Sequence, residues 1–244
     1  MTSVLRELFD RTLALICLIC LAPLFAVILF MVWAQDGRGP LYTAPRAARG
    51  GGPFRIVKIR SMVIDADRKG GTSTARDDDR ITPLGHFIRR WKIDELSQLW
   101  NVFTGDMTFV GPRPQVLSEV ATYTPEEERL LTVKPGITDF SSIVFADEGE
   151  ILRGAPDPDL AYRRLIRPWK SRLSLFYVCH RTIWLDLQLI AFTLLRIVAP
   201  ARALAGVADL LTRLGAAEEL VRVARRMTPL TPHAVPGKSD PFDK

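Results

Sequence analysis

A long apolar segment near the N-terminus dominates the hydrophobic pattern of this chain. No charged residue occurs from Leu13 to Trp33, and a helix of about 20 apolar residues is long enough to cross the hydrocarbon core of a bilayer. Pro23 lies near the middle of this segment and predicts a break or kink, because proline lacks the amide hydrogen that a helix needs. Such a helix either spans the bilayer or turns back to the face it entered, and the residue pattern alone favours spanning.

The remaining pattern predicts an α+β domain that is mostly helical. Residues 54–62 are rich in strand-forming side chains and predict a strand with Lys58 and Arg60 on one face. Apolar residues at helical spacing predict an amphipathic helix from Asp94 to about Phe103. Further elements are expected at 160–178, 182–198 and 203–227 (helices) and at 228–244 (a disordered, proline-rich tail). The composition of the 182–198 helix is interfacial, and packing against the domain explains it equally well.

Composition and charge indicate a folded protein with an anionic partner. Of the 244 residues, 48% are hydrophobic, which excludes a disordered polymer, and the net charge is +6. This charge suits lipid headgroups, nucleotides or nucleic acids, but no nucleic-acid recognition motif accompanies it. The cysteines Cys17, Cys20 and Cys179 are odd in number and two lie in the apolar segment, so neither a disulfide framework nor a four-ligand zinc site is available.

The charges that flank the apolar segment predict its orientation. A cleaved signal peptide would have an apolar region of roughly 7 to 15 residues and a positive leader, whereas here the run is longer and Arg6 and Arg11 are offset by Glu7 and Asp10. Basic residues crowd the other side of the segment, and cytoplasmic flanks are enriched in such residues. The main domain is therefore expected in the cytoplasm. The basic residues are Arg38, Arg46, Arg49, Arg55, Lys58 and Arg60.

Two adjacent carboxylates, Asp94 and Glu95, are the strongest candidates for chemistry. Arg89 and Arg90 precede them, and Arg113 follows in a Gly-Pro-Arg-Pro loop whose prolines hold it extended. These residue types supply a nucleophile, a metal ligand and cations for phosphates, as phosphoryl transfer requires. On local grounds alone, a helix N-cap and a first-turn acid explain the two carboxylates more simply. A stiff turn with an exposed arginine is likewise the alternative for Arg113.

Two other charged groups have plain explanations. Lys58 and Arg60 form a cationic ledge that suits phosphates, while a solvated basic edge strand is the simpler interpretation of the segment by itself. Asp77, Asp78 and Asp79 lie in a polar loop. Consecutive acids without defined ligand spacing are usually solvated, so we do not expect a metal site there.

Residues 9 to about 196 resemble the bacterial sugar transferase family, the monotopic phosphoglycosyl transferases that start glycan assembly on a polyprenol phosphate carrier. The resemblance rests on several motifs in order and on no single one. The first are Phe9-Asp10, Pro23, Asp36-Gly37, Pro40, Lys58-Ile59-Arg60-Ser61-Met62 and Asp79-Arg80-Ile81-Thr82. The later ones are Gly85, Ile88-Arg89, Asp94-Glu95-Leu96, Gln98-Leu99-Trp100-Asn101-Val102, Gly105-Asp106-Met107, Val110-Gly111-Pro112-Arg113-Pro114, Lys134-Pro135-Gly136-Ile137-Thr138 and Trp184-Leu185-Asp186.

The resemblance implies an enzyme with a covalent intermediate. Asp94 would attack the β-phosphate of a nucleotide diphosphate sugar, expel the nucleoside monophosphate and carry the phosphosugar until polyprenol phosphate accepts it. Magnesium is the expected ion, with Asp94 and Glu95 as candidate ligands, and Glu95 is the expected partner in metal binding or proton handling. The cations that fall on family positions around the phosphates are Lys58, Arg60, Arg89 and Arg113.

The resemblance also reverses the preference for a spanning helix. In the family the membrane helix is re-entrant and broken at its proline, so both the lipid acceptor and the soluble donor meet the enzyme at the cytoplasmic face of the membrane. The implied organisation is a re-entrant helix at 1–36, a cytoplasmic catalytic domain at 37–200 and a helical extension with a tail at 201–244. Membrane lipids are expected partners, and a homodimer or contacts with downstream glycosyltransferases are left open.

Some positions depart from the family pattern. Ser97 stands where a proline is usual, Asp139 where a glycine is usual, and Ser174 where an acid is common. These changes leave the reactive groups in place but leave the sugar pocket undefined. The sequence does not specify the sugar, the nucleobase, the glycan pathway or the oligomeric state. A membrane-tethered scaffold, in which Asp94 only caps a helix, is the alternative from another functional class.

Overall fold

The computed structural model describes residues 3–71 and 73–239. Within them, short strands alternate with many helices, as the sequence predicted. The strands are β1 (Leu41–Ala47), β2 (Pro53–Ile59), β3 (Thr108–Val110) and β4 (Gly136–Thr138). The helices are α1 (Ser3–Ala34), α2 (Pro83–Arg90), α3 (Ile93–Leu96), α4 (Leu99–Thr104), α5 (Leu117–Val120), α6 (Phe140–Val144), α7 (Glu148–Ile151), α8 (Pro158–Ala161), α9 (Arg167–His180), α10 (Ile183–Val198), α11 (Pro200–Arg213) and α12 (Glu218–Arg225).

Helix α1 is the helix in the described part of the chain that is long and apolar enough to cross a membrane. The helix is continuous through Pro23. The break that the sequence predicted at this residue is therefore absent. Most of its apolar side chains face outward, including Ile19, which is 64% exposed, and Val27, which is 58% exposed. An apolar surface of this extent calls for cover by lipid or protein.

The N-terminal turns of α1 contact the body of the protein through polar side chains. Arg6 forms an ion pair with Asp186 of α10, with 2.5 Å between Nη2 and Oδ2. Thr108 of β3 donates a hydrogen bond from Oγ1 to Oδ2 of Asp10 over 2.5 Å. Ala14 is completely buried against the β1–β2 hairpin and α4.

The C-terminal end of α1 contacts the same body through Arg60. The guanidinium donates to both carboxylate oxygens of Asp36 over 2.6 Å each, and to the Gly39 carbonyl oxygen over 2.9 Å. This arrangement lowers the pKa of Asp36 to about 2, chiefly through the hydrogen bonds from Arg60. Both ends of α1 are therefore attached to one folded body. Between them, Ala14, Ile28 and Val32 are buried against that body, while most of the other apolar side chains are exposed.

Two small sheets carry the loops between the helices. β1 and β2 form an antiparallel hairpin in which Leu41 pairs with Ile59, in agreement with the strand predicted at 54–62, although β2 ends three residues earlier. β3 and β4 are parallel. The backbones of Gly136, the first residue of β4, and Gly111 approach each other very closely. A Cβ atom added to Gly136 would lie 2.1 Å from the Gly111 nitrogen, so only glycine fits there.

The helices α6, α9, α10, α11 and α12 enclose the main hydrophobic core. Helix α10 matches the prediction at 182–198, whereas the single helix predicted at 160–178 is divided into α8, a π-helical turn at Tyr162–Ile166 and α9. The sequence of α10 was compatible with an interfacial helix and with a helix packed against the domain. The structure has features of both, because Leu185 and Leu189 are buried while Trp184 and Val198 are exposed. The fully buried side chains of this core include Phe140, Leu173, Leu189 and Leu211.

The C-terminal extension packs on this core. The single helix predicted at 203–227 is instead two helices, because α11 ends at Arg213 and Gly215 adopts the left-handed φ of +78°. Residues 228–239 lack helix and strand, but the prediction of a disordered tail is wrong for them. The His233 ring stacks on Trp169 with 4.5 Å between the ring centroids, and Thr124 donates to the Pro236 carbonyl oxygen over 2.7 Å. Residues 240–244 lie outside the described residues.

A buried ion pair joins α9 to the loop before β4. Arg167 donates from Nη2 to Oε2 of Glu127 over 2.7 Å, and Ser171 donates to the other oxygen of Glu127 over 2.7 Å. Glu127 is completely buried and Arg167 nearly so. Since Arg167 carries the charge that compensates this buried carboxylate, the pair is a point at which the fold is sensitive to substitution.

Replacing Arg167 by methionine is expected to lower the free energy of unfolding by about 3–5 kcal/mol, because Glu127 then keeps a buried charge without its partner. Arg222→Met is the matched control, since that arginine is 65% exposed and meets Glu219 across one turn of α12; its effect should stay below about 0.5 kcal/mol. Denaturation in detergent followed by circular dichroism measures both changes. Equal effects of the two variants would contradict the role of the buried pair.

Candidate active site

Asp94 lies in a short helix that begins after an unusual backbone turn. Lys92 has a left-handed φ of +56°, which ends the turn after α2 and starts α3 at Ile93. The helix predicted from Asp94 to Phe103 is divided into α3 and α4 at Ser97, whose Oγ lies 3.0 Å from both the Val57 and Asp94 carbonyl oxygens and donates its one proton to one of them at a time. Such side-chain bonds to the backbone compete with a continuous helix.

The side chain of Asp94 does not cap this helix. Asp94 is the second residue of α3, and the position before the helix is taken by Lys92, which makes no side-chain cap bond. Asp94 is 5% exposed, and its Oδ1 is buried without a hydrogen-bond partner. The capping interpretation is therefore wrong, and a buried carboxylate oxygen without a partner needs another explanation.

The pKa of Asp94 is raised, mainly because burial disfavours the charged carboxylate. The positive charge of Lys58 opposes this shift, the negative charge of Glu95 adds to it, and Arg89 and Lys92 oppose it further. Asp94 thus lies among several cations but is not neutralised by a direct bond to any of them in the structure. A carboxylate held in this way is available to react or to bind a cation.

Glu95, in contrast to Asp94, is bonded directly to a cation. Arg113 meets it with both ends of its guanidinium, with 3.0 Å from Nη1 to Oε2 and a second short contact from Nη2 to Oε1. Burial alone would raise the pKa of Glu95, but the charges of Arg113, Lys92 and Lys58 outweigh burial and hold this pKa well below its usual range. The bidentate pair keeps Glu95 ionised and fixes the arginine beside Asp94.

The loop that carries Arg113 is held by the parallel β3–β4 pair. The Gly111 amide donates to the Thr138 carbonyl oxygen, and the Gly136 amide donates to the Pro112 carbonyl oxygen, each over 2.9 Å. The prolines on either side of Arg113 restrict its backbone further. The guanidinium is therefore placed by backbone bonds on one side and by Glu95 on the other.

Lys58 reaches the site from β2, and Arg89 reaches it from the end of α2. The pKa of Lys58 is lowered because burial disfavours its ammonium group and Arg113 repels it, while Asp94 and Glu95 attract it. The structure thus brings together five of the six charged residues that the sequence singled out for the site. Two carboxylates face three cations in one half-buried cluster.

Arg60 is the exception. The backbone pairing of the hairpin continues at Arg60, whose amide donates to the Pro40 carbonyl oxygen over 2.8 Å, but its side chain does not join Lys58 in the cluster. The predicted cationic ledge is therefore wrong. The guanidinium of Arg60 bonds to Asp36 and to the Gly39 and Val32 carbonyl oxygens. In this structure it anchors the end of α1 and does not face Asp94.

Sequence reasoning missed three charged residues around Arg113. Arg46 of β1 lies close enough to Arg113 for repulsion between them to help lower its pKa, after the larger effect of burial. Glu148 of α7 attracts Arg113 from another side and forms an ion pair with Lys170 of α9. These residues come from separate segments, so no local motif indicated them. The basic residue at 46 was noted only as part of the membrane flank.

Of the two carboxylates, Asp94 is the one that has an oxygen available for magnesium. Asp94 offers a free oxygen, while both oxygens of Glu95 contact Arg113. Across residues 3–71 and 73–239, no three His, Cys, Asp or Glu side chains converge as a metal site, and Asp78 of the aspartate run pairs with Arg80. Magnesium is commonly held by one or two carboxylates together with substrate phosphates. The site suits an ion that is shared with a diphosphate.

Comparisons with known proteins identify the family of this chain. The profile of the bacterial sugar transferase family matches residues 1–200. A UDP-galactose-lipid carrier transferase of Erwinia amylovora is 37% identical over 149 residues, which cover 55% of this chain and 31% of the relative. An undecaprenyl-phosphate glucose phosphotransferase of Komagataeibacter xylinus is 35% identical over 202 residues, which cover 78% of this chain and 35% of the relative.

A shorter relative covers more of its own length. An uncharacterized sugar transferase of Bacillus subtilis is 30% identical over 197 residues, which cover 80% of this chain and 88% of the relative. The chain spans about a third of the length of the Erwinia and Komagataeibacter proteins. The match to the family profile includes every residue of the carboxylate and cation cluster. The chain therefore belongs to the bacterial sugar transferase family.

Proposed function

We propose that this protein transfers a phosphosugar from a nucleotide diphosphate sugar, a UDP-sugar, to a polyprenol phosphate of the undecaprenyl type. The reaction releases a nucleoside monophosphate and begins the assembly of a glycan. The observation that carries the proposal is the buried Asp94 oxygen without a partner, beside Lys58 and the Glu95–Arg113 pair. Reactive groups are commonly found where burial and neighbouring charges shift a pKa.

The proposed reaction has two displacements at one phosphorus atom. An oxygen of Asp94 attacks the phosphorus that bears the sugar, an oxygen–phosphorus bond forms, and the bond from this phosphorus to the bridging oxygen breaks. The nucleoside monophosphate leaves with the bridging oxygen. A phosphate oxygen of the polyprenol phosphate then attacks the same phosphorus, and Asp94 leaves as a carboxylate. Splitting one transfer into two steps is the advantage of a covalent nucleophile.

The cations have distinct proposed roles. Within the described residues, neither Lys58 nor Arg89 forms an ion pair, and both would bind the phosphates electrostatically. Arg113 would present a fixed guanidinium to the diphosphate, because Glu95 holds its orientation. Magnesium, held by the free oxygen of Asp94 together with the diphosphate, would supply charge neutralisation at the phosphates.

The names of two relatives support the substrate classes. The Erwinia protein is named for UDP-galactose and a lipid carrier, and the Komagataeibacter protein for undecaprenyl phosphate and glucose. We include the same substrate classes in the proposal for the present chain. The side chains of the site do not specify the sugar.

We also propose that α1 enters the membrane from the cytoplasmic face and remains associated with that face. A spanning helix would leave one end on the far side of the bilayer, whereas Arg6 and Asp36 near its two ends both pair with side chains of the same body. The exposed apolar residues between these ends would lie in lipid. The basic residues after α1 agree with a cytoplasmic domain.

Asp94→Asn is expected to reduce transfer by on the order of a thousandfold or more, because the amide cannot replace the nucleophile. Transfer of labelled sugar from UDP-sugar to undecaprenyl phosphate, with magnesium, measures the effect. Asp209→Asn is the control, since Asp209 is an exposed aspartate of α11 outside the family match. Full activity of the Asp94 variant would exclude the proposed mechanism.

Formation of the covalent intermediate is expected to decline at low pH, starting at a higher pH than an ordinary aspartate would give, because the pKa of Asp94 is raised. Lys58→Met should move this acid limb to still higher pH, since the lost ammonium charge lowers the pKa of Asp94 in the native protein. Lys69→Met, at an exposed lysine, should leave the limb unchanged. The pH profile of nucleoside monophosphate release decides this, and an acid limb that does not move in Lys58→Met would contradict the proposal.

The location of α1 is tested by labelling single cysteines with a membrane-impermeant thiol reagent. Cysteines introduced at Leu5 and Arg38, in a chain without native cysteines, should both react from the cytoplasmic side. A variant that retains only Cys20, which is exposed in the middle of α1, should react only after detergent is added. Labelling of Leu5→Cys and Arg38→Cys from opposite sides of the membrane would show a spanning helix.

A further inference from the structure

Three charged residues in the first turns of α1 point at the two strands that support Arg113. Asp10 accepts the hydrogen bond from Thr108 of β3, and Glu7 forms an ion pair with Lys134, two residues before β4, over 3.0 Å. Arg6 reaches Asp186 and also donates to the Val110 carbonyl oxygen of β3 over 3.4 Å. In the sequence these residues are simply the charged flank of an apolar segment.

Tyr177 links Arg6 to β3. Its hydroxyl oxygen lies 2.9 Å from the Val110 carbonyl oxygen and 2.6 Å from Oδ1 of Asp186, and Arg6 donates to it over 2.8 Å. The hydroxyl has one proton and so donates to one of these acceptors at a time. Arg6 contacts both acceptors as well, so each remains bonded. The ring of Tyr177 is 1% exposed, which makes this a buried polar network with satisfied members.

This network ends three residues before Arg113. Val110 is the last residue of β3, and the loop that follows is fixed by the Gly111 and Gly136 amide bonds described above. A shift of β3 would therefore move Arg113 relative to Glu95. Arg11 provides a contrast on the same helix, because its side-chain hydrogen bond is to Glu7 one turn away and does not reach β3.

We propose that the first turns of α1 are a positioning element of the active site: Arg6, with Tyr177 and Asp186, and Asp10, with Thr108, hold β3 where Arg113 meets Glu95. The membrane helix then does more than attach the enzyme to lipid. This inference rests on the proposed function, and it assigns a role to Asp186, a residue of the C-terminal family motif that the carboxylate and cation cluster does not explain. Arg6, Tyr177 and Asp186 act through Arg113 and need no contact with substrate.

The kinetic test is a double-mutant cycle in the full chain, reconstituted in lipid nanodiscs. Arg6→Gln and Tyr177→Phe should each lower kcat/KM for the UDP-sugar by about tenfold, and Arg11→Gln should not. In an Arg113→Ala background, Arg6→Gln and Tyr177→Phe should have little further effect, because the residue they position is gone. Arg6→Lys should recover part of the loss. An equal loss with and without Arg113 would overturn the proposal and indicate a general effect on folding.

Hydrogen exchange supplies a readout that does not depend on turnover. The amides of Val110, Gly111 and Arg113 should exchange at least about tenfold faster in Tyr177→Phe than in the native protein, and should be unchanged in Arg11→Gln. Tyr177→Phe keeps the buried ring, so it serves if Arg6→Gln fails to fold. Unchanged exchange in the Tyr177 variant would overturn the positioning role. Absence of turnover in the native protein, with the exchange result intact, would instead reject the proposed function alone.

Discussion

The ion pair between Glu95 and Arg113 decides which of two adjacent carboxylates remains available. Two acids placed together in a buried site repel each other, and the first cation to form a direct bond neutralises one of them. Here the guanidinium takes both oxygens of Glu95, so Asp94 keeps a buried oxygen without a partner. The same contact fixes the arginine. One interaction thus separates an acid bonded to a cation from an acid with a free oxygen, and it orients a cation beside that free oxygen.

This pair depends on elements that are far apart in the chain. Glu95 comes from a short helix after α2, while Arg113 comes from a loop held by the parallel β3–β4 pair, and Lys58 comes from the β1–β2 hairpin. Helix α1 contacts both sheets, with Asp10 bonded to β3 and Ala14 packed on the hairpin. The apolar helix is accordingly part of the scaffold that brings the charged groups together. Membrane attachment and assembly of the site share one element.

The ordered set of motifs, and no single one of them, indicated that Asp94, Glu95, Lys58 and Arg113 belong together, and the structure brings these four side chains into one cluster. Arg60 was misplaced because its guanidinium is held by Asp36 at the end of α1, a tertiary contact that spacing along the strand does not indicate. The helix after Asp94 was predicted as one piece because hydrophobic spacing continues through Ser97, where the helix divides and the side chain bonds to the backbone. Glu148 meets Arg113 only through tertiary packing, and spacing along the chain has no information about such a contact. The same holds for the residues that attach α1 at both ends.

The mass of the protein after incubation with a UDP-sugar and magnesium, in the absence of lipid acceptor, tests the central claim most directly. The account predicts a gain equal to one phosphosugar, located by peptide analysis on Asp94, and loss of this gain when polyprenol phosphate is added. A gain on Glu95, or no gain in a preparation that completes the full transfer, would contradict the assignment of Asp94 as the covalent carrier.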